Sequence, residues 1–193
     1  MVMSSPAEIL ATEPVRPLKR VEYERLAAEG FFDDEKVELL FGVVVEMTPV
    51  DSTHVAAVYH VRRTIERGVS DRAMVLSQSP FAASDESEPE PDVFVVPSGD
   101  LWRQHPTSAL LVVEVARSSL RRDRGAKALL YASCEVDEYW IVDVDGGVVE
   151  IYRDCHEGTW RSKSTHARGE TVAMRAFPDV QVEVAEILPP LAR

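Results

Sequence analysis

Two apolar runs rich in β-branched residues, 92-DVFVV-96 and 110-LLVVEVA-116, constrain this chain more than any other feature. Such runs are characteristic of strands buried on both faces. A helix is expected next, over Leu120 to Ser133, with Ser118 or Ser119 as its N-cap. Its stripe of Ala126, Leu129, Leu130 and Ser133 is predicted to pack onto the sheet. Two more strands follow, 138-EYWIVDV-144 and 148-VVEIYR-153, joined across Asp145-Gly146-Gly147, a good turn signal. The order strand, strand, helix, strand, strand predicts an α/β sheet with helical cover.

The first half is weaker but readable. A helix is expected from Leu18 to about Ala28, ended by Gly30, and then two strand halves in 36-KVELLFGVVVEM-47 with Gly42 at the bend. Val55, Val58, Val61 and Ile65 recur at helical spacing between Thr53 and Arg67, with Gly68 as a stop signal. A strand is predicted over 73–82, then a mobile acidic loop over Asp85–Pro91. Further strands are expected at 159–166 and 180–184. The chain divides into a disordered or extended lead over 1–17, broken by Pro6, Pro14 and Pro17, and one domain over 18–193. The absence of a basic, apolar leader and the presence of only two cysteines, Cys134 and Cys155, make the cytoplasm the expected location.

The formal net charge of −12 argues against a protein that coats nucleic acid indiscriminately. It leaves room for an enzyme with locally gathered cations, and Arg117, Arg121, Arg122, Arg124 and Lys127 do crowd one stretch.

Chemistry is suggested by two carboxylates at neighbouring strands. Asp92 opens one run, and Glu114 lies among Val112, Val113 and Val115 in the other. A glutamate in that setting needs a partner, because an unpaired buried charge is costly. A divalent cation shared with Asp92 would neutralise both, and Mg2+ suits carboxylates, carbonyls and water. Such an ion binds a scissile phosphate and lowers the pKa of an attacking water. The plainer alternative pairs Glu114 with an arginine and leaves Asp92 as a strand start. Asp123 and Lys127, four apart, share a helix face. Lys127 either reaches over the strand end to the water and phosphate or pairs with Asp123 at the surface.

The run 91-PDVFVV-96 followed by 111-LVVEVARSSLRRDRGAKALLYASCEVDEYWIVD-143 resembles the Uma-type family of restriction-endonuclease-like proteins. The upstream 37-VELLFGVVVEMTPVDSTHV-55 and 78-QSPF-81 match the same layout, so the resemblance spans roughly Leu18 to Arg153. The resemblance implies the PD-(D/E)XK nuclease superfamily: a mixed central β-sheet flanked by helices, Mg2+ (with Mn2+ as substitute), DNA as substrate, and a possible homodimer. It gives Asp92 and Glu114 the motif acids and Val115 a backbone carbonyl ligand. The motif lysine, two residues after the glutamate, is absent, since that position is Ala116; Lys127 is its natural substitute. Glu38 matches a family acidic position, against the alternative of a solvent-facing strand residue, and Gln78 is a candidate for the polar lining.

Other residues are given less. His54 could help position a phosphate, but a helix-start or surface histidine is the safer reading. Cys134, Cys155, His156 and His166 lack zinc-ligand spacing, and no P-loop occurs. Trp140 reads as a packing residue. Three functions are compatible with the chain: a Mg2+-dependent endonuclease, a catalytically degenerate DNA- or protein-binding module, and a homo-oligomeric scaffold.

Overall fold

The computed structural model describes residues 14–190. The expected lead over 1–17 falls outside the described residues as far as residue 13. Helix α1 (Arg20–Ala28) precedes a hairpin of β1 (Val37–Leu40) and β2 (Val43–Glu46); helix α2 (Ser52–Val69) and strands β3 (Ala73–Leu76), β4 (Val93–Pro97) and β5 (Leu111–Ala116) follow. Helix α3 runs without interruption through Leu120–Arg122, a π-helical turn Asp123–Lys127 and Ala128–Ser133. After it come β6 (Tyr139–Asp143), β7 (Val148–His156), β8 (Thr159–Ala167), β9 (Thr171–Ala173), β10 (Gln181–Glu183) and the short α4 (Val184–Ile187).

Six strands form the central sheet in the order β3-β4-β5-β6-β7-β8. Only β5 and β6 run parallel, joined by the α3 crossover, so the sheet is mixed. The strict alternation of strands decides which helix sees which residue. Val93, Val95, Val113, Val115 and Trp140 share a core with Val58, Val61 and Ile65 of α2. Phe94, Val112, Ala116, Tyr139 and Ile141 share another with Leu130 and Tyr131 of α3. Both faces are covered, which is why the central strands are apolar at nearly every position. Glu114 has the same parity as Val112 and Ala116 and therefore faces α3. Among the described residues, no helix is long and apolar enough to cross a membrane.

The structure corrects several expectations. Gly68 does not stop α2, which continues to Val69. Its missing side chain instead admits the C-terminal segment, because a Cβ there would lie 2.5 Å from Val180 Cγ1. The strand expected over 73–82 ends at Leu76. The face of α3 turned inward carries Asp123, Lys127, Ala128, Leu130, Tyr131 and Ala132, while Ala126, Leu129 and Ser133 are exposed. The cause is the π turn: Ala128 N–H bonds back to Asp123 C=O, five residues away, and that carbonyl also accepts the Tyr139 hydroxyl at 3.1 Å. The wide turn shifts the phase of everything after it.

The acidic segment 85–91 is pinned. Leu39 and Glu88 exchange backbone hydrogen bonds (2.8 and 3.3 Å), and Ser87 Oγ accepts from Phe41 N–H at 2.8 Å. Gly42 (φ 75°) donates to Glu86 C=O at 2.6 Å, and the chain at Pro17 passes so close that no side chain fits there. Glu88 is buried, and burial together with the hydrogen bond and charge of Glu24 pushes its pKa to about 7. The folded state thus retains a proton that an unfolded glutamate, at about 4.5, has released. Stability contributed here is lost as pH rises from about 4.5 to about 7. Glu88→Gln, measured by urea denaturation across that window, is expected to flatten this part of the pH dependence; an unchanged slope would contradict the assignment.

Candidate active site

The cleft that gathers the charged residues opens where β5 ends. It holds about 320 Å3 and is lined by residues from the β1–β2 hairpin, the start of α2, the ends of β4 and β5, and α3. The β4–β5 ladder has Val93 opposite Val113 as its last rung. Asp92, one residue beyond that rung, lies close enough to Glu114 for its charge to act on it. Beyond the ladder the Asp92 side chain takes over from the missing strand partner: Val115 N–H donates to Asp92 Oδ2 at 2.8 Å. The Val115 carbonyl lies on the same strand edge as its amide. Ser77 Oγ donates to the Asp92 carbonyl at 2.7 Å and fixes the backbone as well.

Lys127 does not form the surface pair with Asp123 that was its plainer alternative. Its ammonium, with a side chain 6% exposed, lies 2.9 Å from Glu114 Oε1 and 3.1 Å from Glu38 Oε2. Tyr131, one turn on, donates its hydroxyl to the same Glu114 oxygen at 2.6 Å. Glu38 is buried rather than solvent-facing, and Arg122 Nη1 approaches its other oxygen at 3.5 Å. Asp123 is buried too and accepts the Ser119 hydroxyl at 2.6 Å, so Ser119 serves the aspartate instead of capping the helix. Gln78 is exposed at a positive φ and does not line the cleft; it contributes its backbone N–H to Pro91 C=O at 2.9 Å.

His54 was undervalued. It is buried, three residues past the Asp51 that caps α2, and its Nε2 lies 3.2 Å from Asp92 Oδ2. Burial pulls the pKa of His54 down, but the hydrogen bond and charge of Asp92 outweigh this and leave it above its ordinary value. Tyr131 was also missed. The available signal was spacing: Asp123, Lys127 and Tyr131 recur every fourth position, a stripe along one helix face.

The electrostatics follow from an excess of acid. Burial, with the charges of Asp92, Asp123 and Glu38, pushes Glu114 to about 8 against the opposing pull of Lys127. Asp123 rises to about 6, chiefly through burial. Burial acts against the Lys127 ammonium, yet Glu114, Glu38 and Asp123 more than compensate, and its pKa is raised. Lys127 is thus held as a cation, unable to accept a proton. Among the described residues, no three His, Cys, Asp or Glu side chains form a ready ligand set for a metal. Mg2+ does not require one, since it takes one or two carboxylates and completes its shell with carbonyl oxygen and water. Asp92, Glu114 and the Val115 carbonyl are hard oxygen donors, and the acid excess around them favours a cation. The donor set fits the ion.

Lys127→Met leaves Glu114 and Glu38 without their shared cation. It is expected to destabilise the metal-free protein by about 3–5 kcal/mol at about pH 9.5 in urea denaturation, above the wild-type Glu114 pKa of about 8. The loss should shrink as pH falls through about 8 towards about pH 7, where a proton on Glu114 does the neutralising. Equal losses at both pH values would contradict the pairing.

Comparison with known proteins bears on the fold and the family. The fold resembles that of a crystal structure described as "a putative nuclease belonging to DUF820 from Anabaena variabilis", at 14% identity and a TM-score of 0.72, over 89% of this chain and 97% of that one. At that identity the likeness is one of fold. No curated protein matches the chain. The family model Uma2, described as "Putative restriction endonuclease", matches residues 20–185, and the chain belongs to that family.

Proposed function

We propose that the protein is a Mg2+-dependent endonuclease that hydrolyses DNA phosphodiester bonds. The observation that carries the reading is Lys127, delivered by the π turn of α3 to 2.9 Å from Glu114, where it can replace the lysine that Ala116 lacks. A bound Mg2+ or Mn2+ would supply Lewis acidity towards the scissile phosphate and lower the pKa of the attacking water. Asp92, Glu114 and the Val115 carbonyl would hold it. Lys127, a fixed cation, stabilises negative charge developing on the phosphate and orients the nucleophile; it is not the base. Tyr131 and Glu38 fix Glu114 and Lys127 against rotation, and Asp123 adds a second acid at the cleft wall. In this reading the enzyme works in the cytoplasm, and a homodimer would present one cleft to each DNA strand.

A second reading, a degenerate module that binds DNA or protein without cutting, draws on the neutralisation of the basic residues around the cleft and on the lysine missing at Ala116. Arg117 is paired with Asp51 and Asp145, Arg122 with Glu38, and Arg124 with Asp143 and Glu150. Few of these cations are left over for phosphates in a chain of net charge −12.

Cleavage of plasmid and single-stranded DNA, with Mg2+ or Mn2+ and with chelator, separates the two readings. The nuclease reading predicts metal-dependent cleavage that Asp92→Ala reduces by on the order of a thousandfold, the equivalent of several kcal/mol of lost charge stabilisation. Metal-dependent cleavage that persists at full rate in Asp92→Ala would contradict the assigned site.

A further inference from the structure

We propose that His54 is a positioning residue for the metal-binding carboxylate Asp92: it donates a hydrogen bond that clamps one oxygen of Asp92 and turns the other to the cation. The inference rests on the nuclease reading above and extends it to a residue on a different helix.

The argument begins with which atom carries the hydrogen. Asp92 Oδ2 already accepts Val115 N–H at 2.8 Å, and an ionised carboxylate has nothing to donate. The ring nitrogen 3.2 Å from that oxygen must therefore be an N–H, which assigns the hydrogen to His54 Nε2. This holds whether or not Nδ1 is also protonated. With its lone pair engaged in the N–H bond, Nε2 is not available to coordinate a metal. Nδ1 is no better placed as a ligand: it is enclosed by protein and has no hydrogen-bond partner among the described residues. Were Nε2 the ligand, Nδ1 would be expected to pass its N–H to a carboxylate, carbonyl or water, and it has none of these among the described residues. His54 thus has the geometry of a group behind a ligand rather than of a ligand.

Two donors on Oδ2 leave Asp92 Oδ1 without a hydrogen bond among the described residues. Val115 N–H alone would allow the carboxylate to rotate about its terminal torsion, which is broad and roughly two-fold. A second donor arriving from α2, on the opposite side of the sheet from Glu114, removes that freedom. The position of the imidazole is itself fixed from behind. Asp51 Oδ1 accepts the Thr53 and His54 amides at 3.0 and 2.9 Å, so the first turn of α2 is locked before the ring is presented. The chain of contacts runs Asp51, His54, Asp92, and each link is a hydrogen bond that places the next group.

The test is calorimetric titration of Mn2+ into the full chain, a readout independent of cleavage. Wild type is expected to bind. His54→Ala is expected to bind 10–100-fold more weakly, the usual loss when a group supporting a metal ligand is removed. His54→Gln, whose amide can bring an N–H to the same place, is expected to recover most of the affinity. Unchanged affinity in His54→Ala, or no recovery in His54→Gln, would overturn the inference. Because a buried substitution can impair folding, pulsed EPR on the Mn2+-loaded wild type provides a second criterion. Absence of a directly bound nitrogen coupling supports a positioning role, and a strong imidazole nitrogen coupling would overturn it. A wild-type protein that binds no Mn2+ would remove the nuclease reading and this inference together. Wild-type binding with unaffected variants removes this inference alone.

Discussion

The site depends on one buried ion pair, Lys127 with Glu114, shared with Glu38. Glu114 projects from the middle of the sheet into a layer of aromatic and aliphatic side chains, where an isolated carboxylate would cost several kcal/mol. Lys127 meets that charge from α3, Glu38 meets Lys127 from the hairpin, and Tyr131 donates its hydroxyl to the same carboxylate. Three separate segments of chain are thereby tied to one point. The ammonium cannot leave without stranding two acids, so the cation is preorganised towards the cleft before any substrate arrives.

The neighbouring acids carry the complementary constraint. Asp92, Asp123 and Glu90 face the same cleft with too few cations to balance them, and burial raises the pKa values of Glu114, Asp123 and Glu90. A surface selected for stability alone would have little reason to hold this arrangement. It is tolerated where a positive charge, a metal ion or a proton, completes the site.

Much of the frame was legible because it rests on local rules. The β-branched runs gave β4 and β5, the glycine-rich turn gave the β6–β7 hairpin, and the spacing of Val58, Val61 and Ile65 gave the buried face of α2. What escaped was set by tertiary contact. Tyr139 intrudes on the Asp123 carbonyl and widens α3, so a stripe drawn at ordinary helical period selected Ala126 and Leu129, which are exposed, and passed over Tyr131. Val180 packs on Gly68, which turned an apparent stop signal into a point of close approach. The acidic segment looked mobile because nothing local reveals that Leu39 pairs with Glu88. His54 looked peripheral because its partner, Asp92, is distant in the chain. Lys127 was singled out by the helix face it shares with Asp123 and then by the absence of a lysine at Ala116, a gap visible only against a family pattern.

The most direct measurement is a crystal structure of the protein soaked with Mn2+, with the ion located by its anomalous signal. The account predicts a single peak in contact with Asp92 and Glu114, beside the Val115 carbonyl, with the Lys127 ammonium still facing the cleft. No peak at those carboxylates, or an ion bound elsewhere with Lys127 turned to solvent, would contradict it.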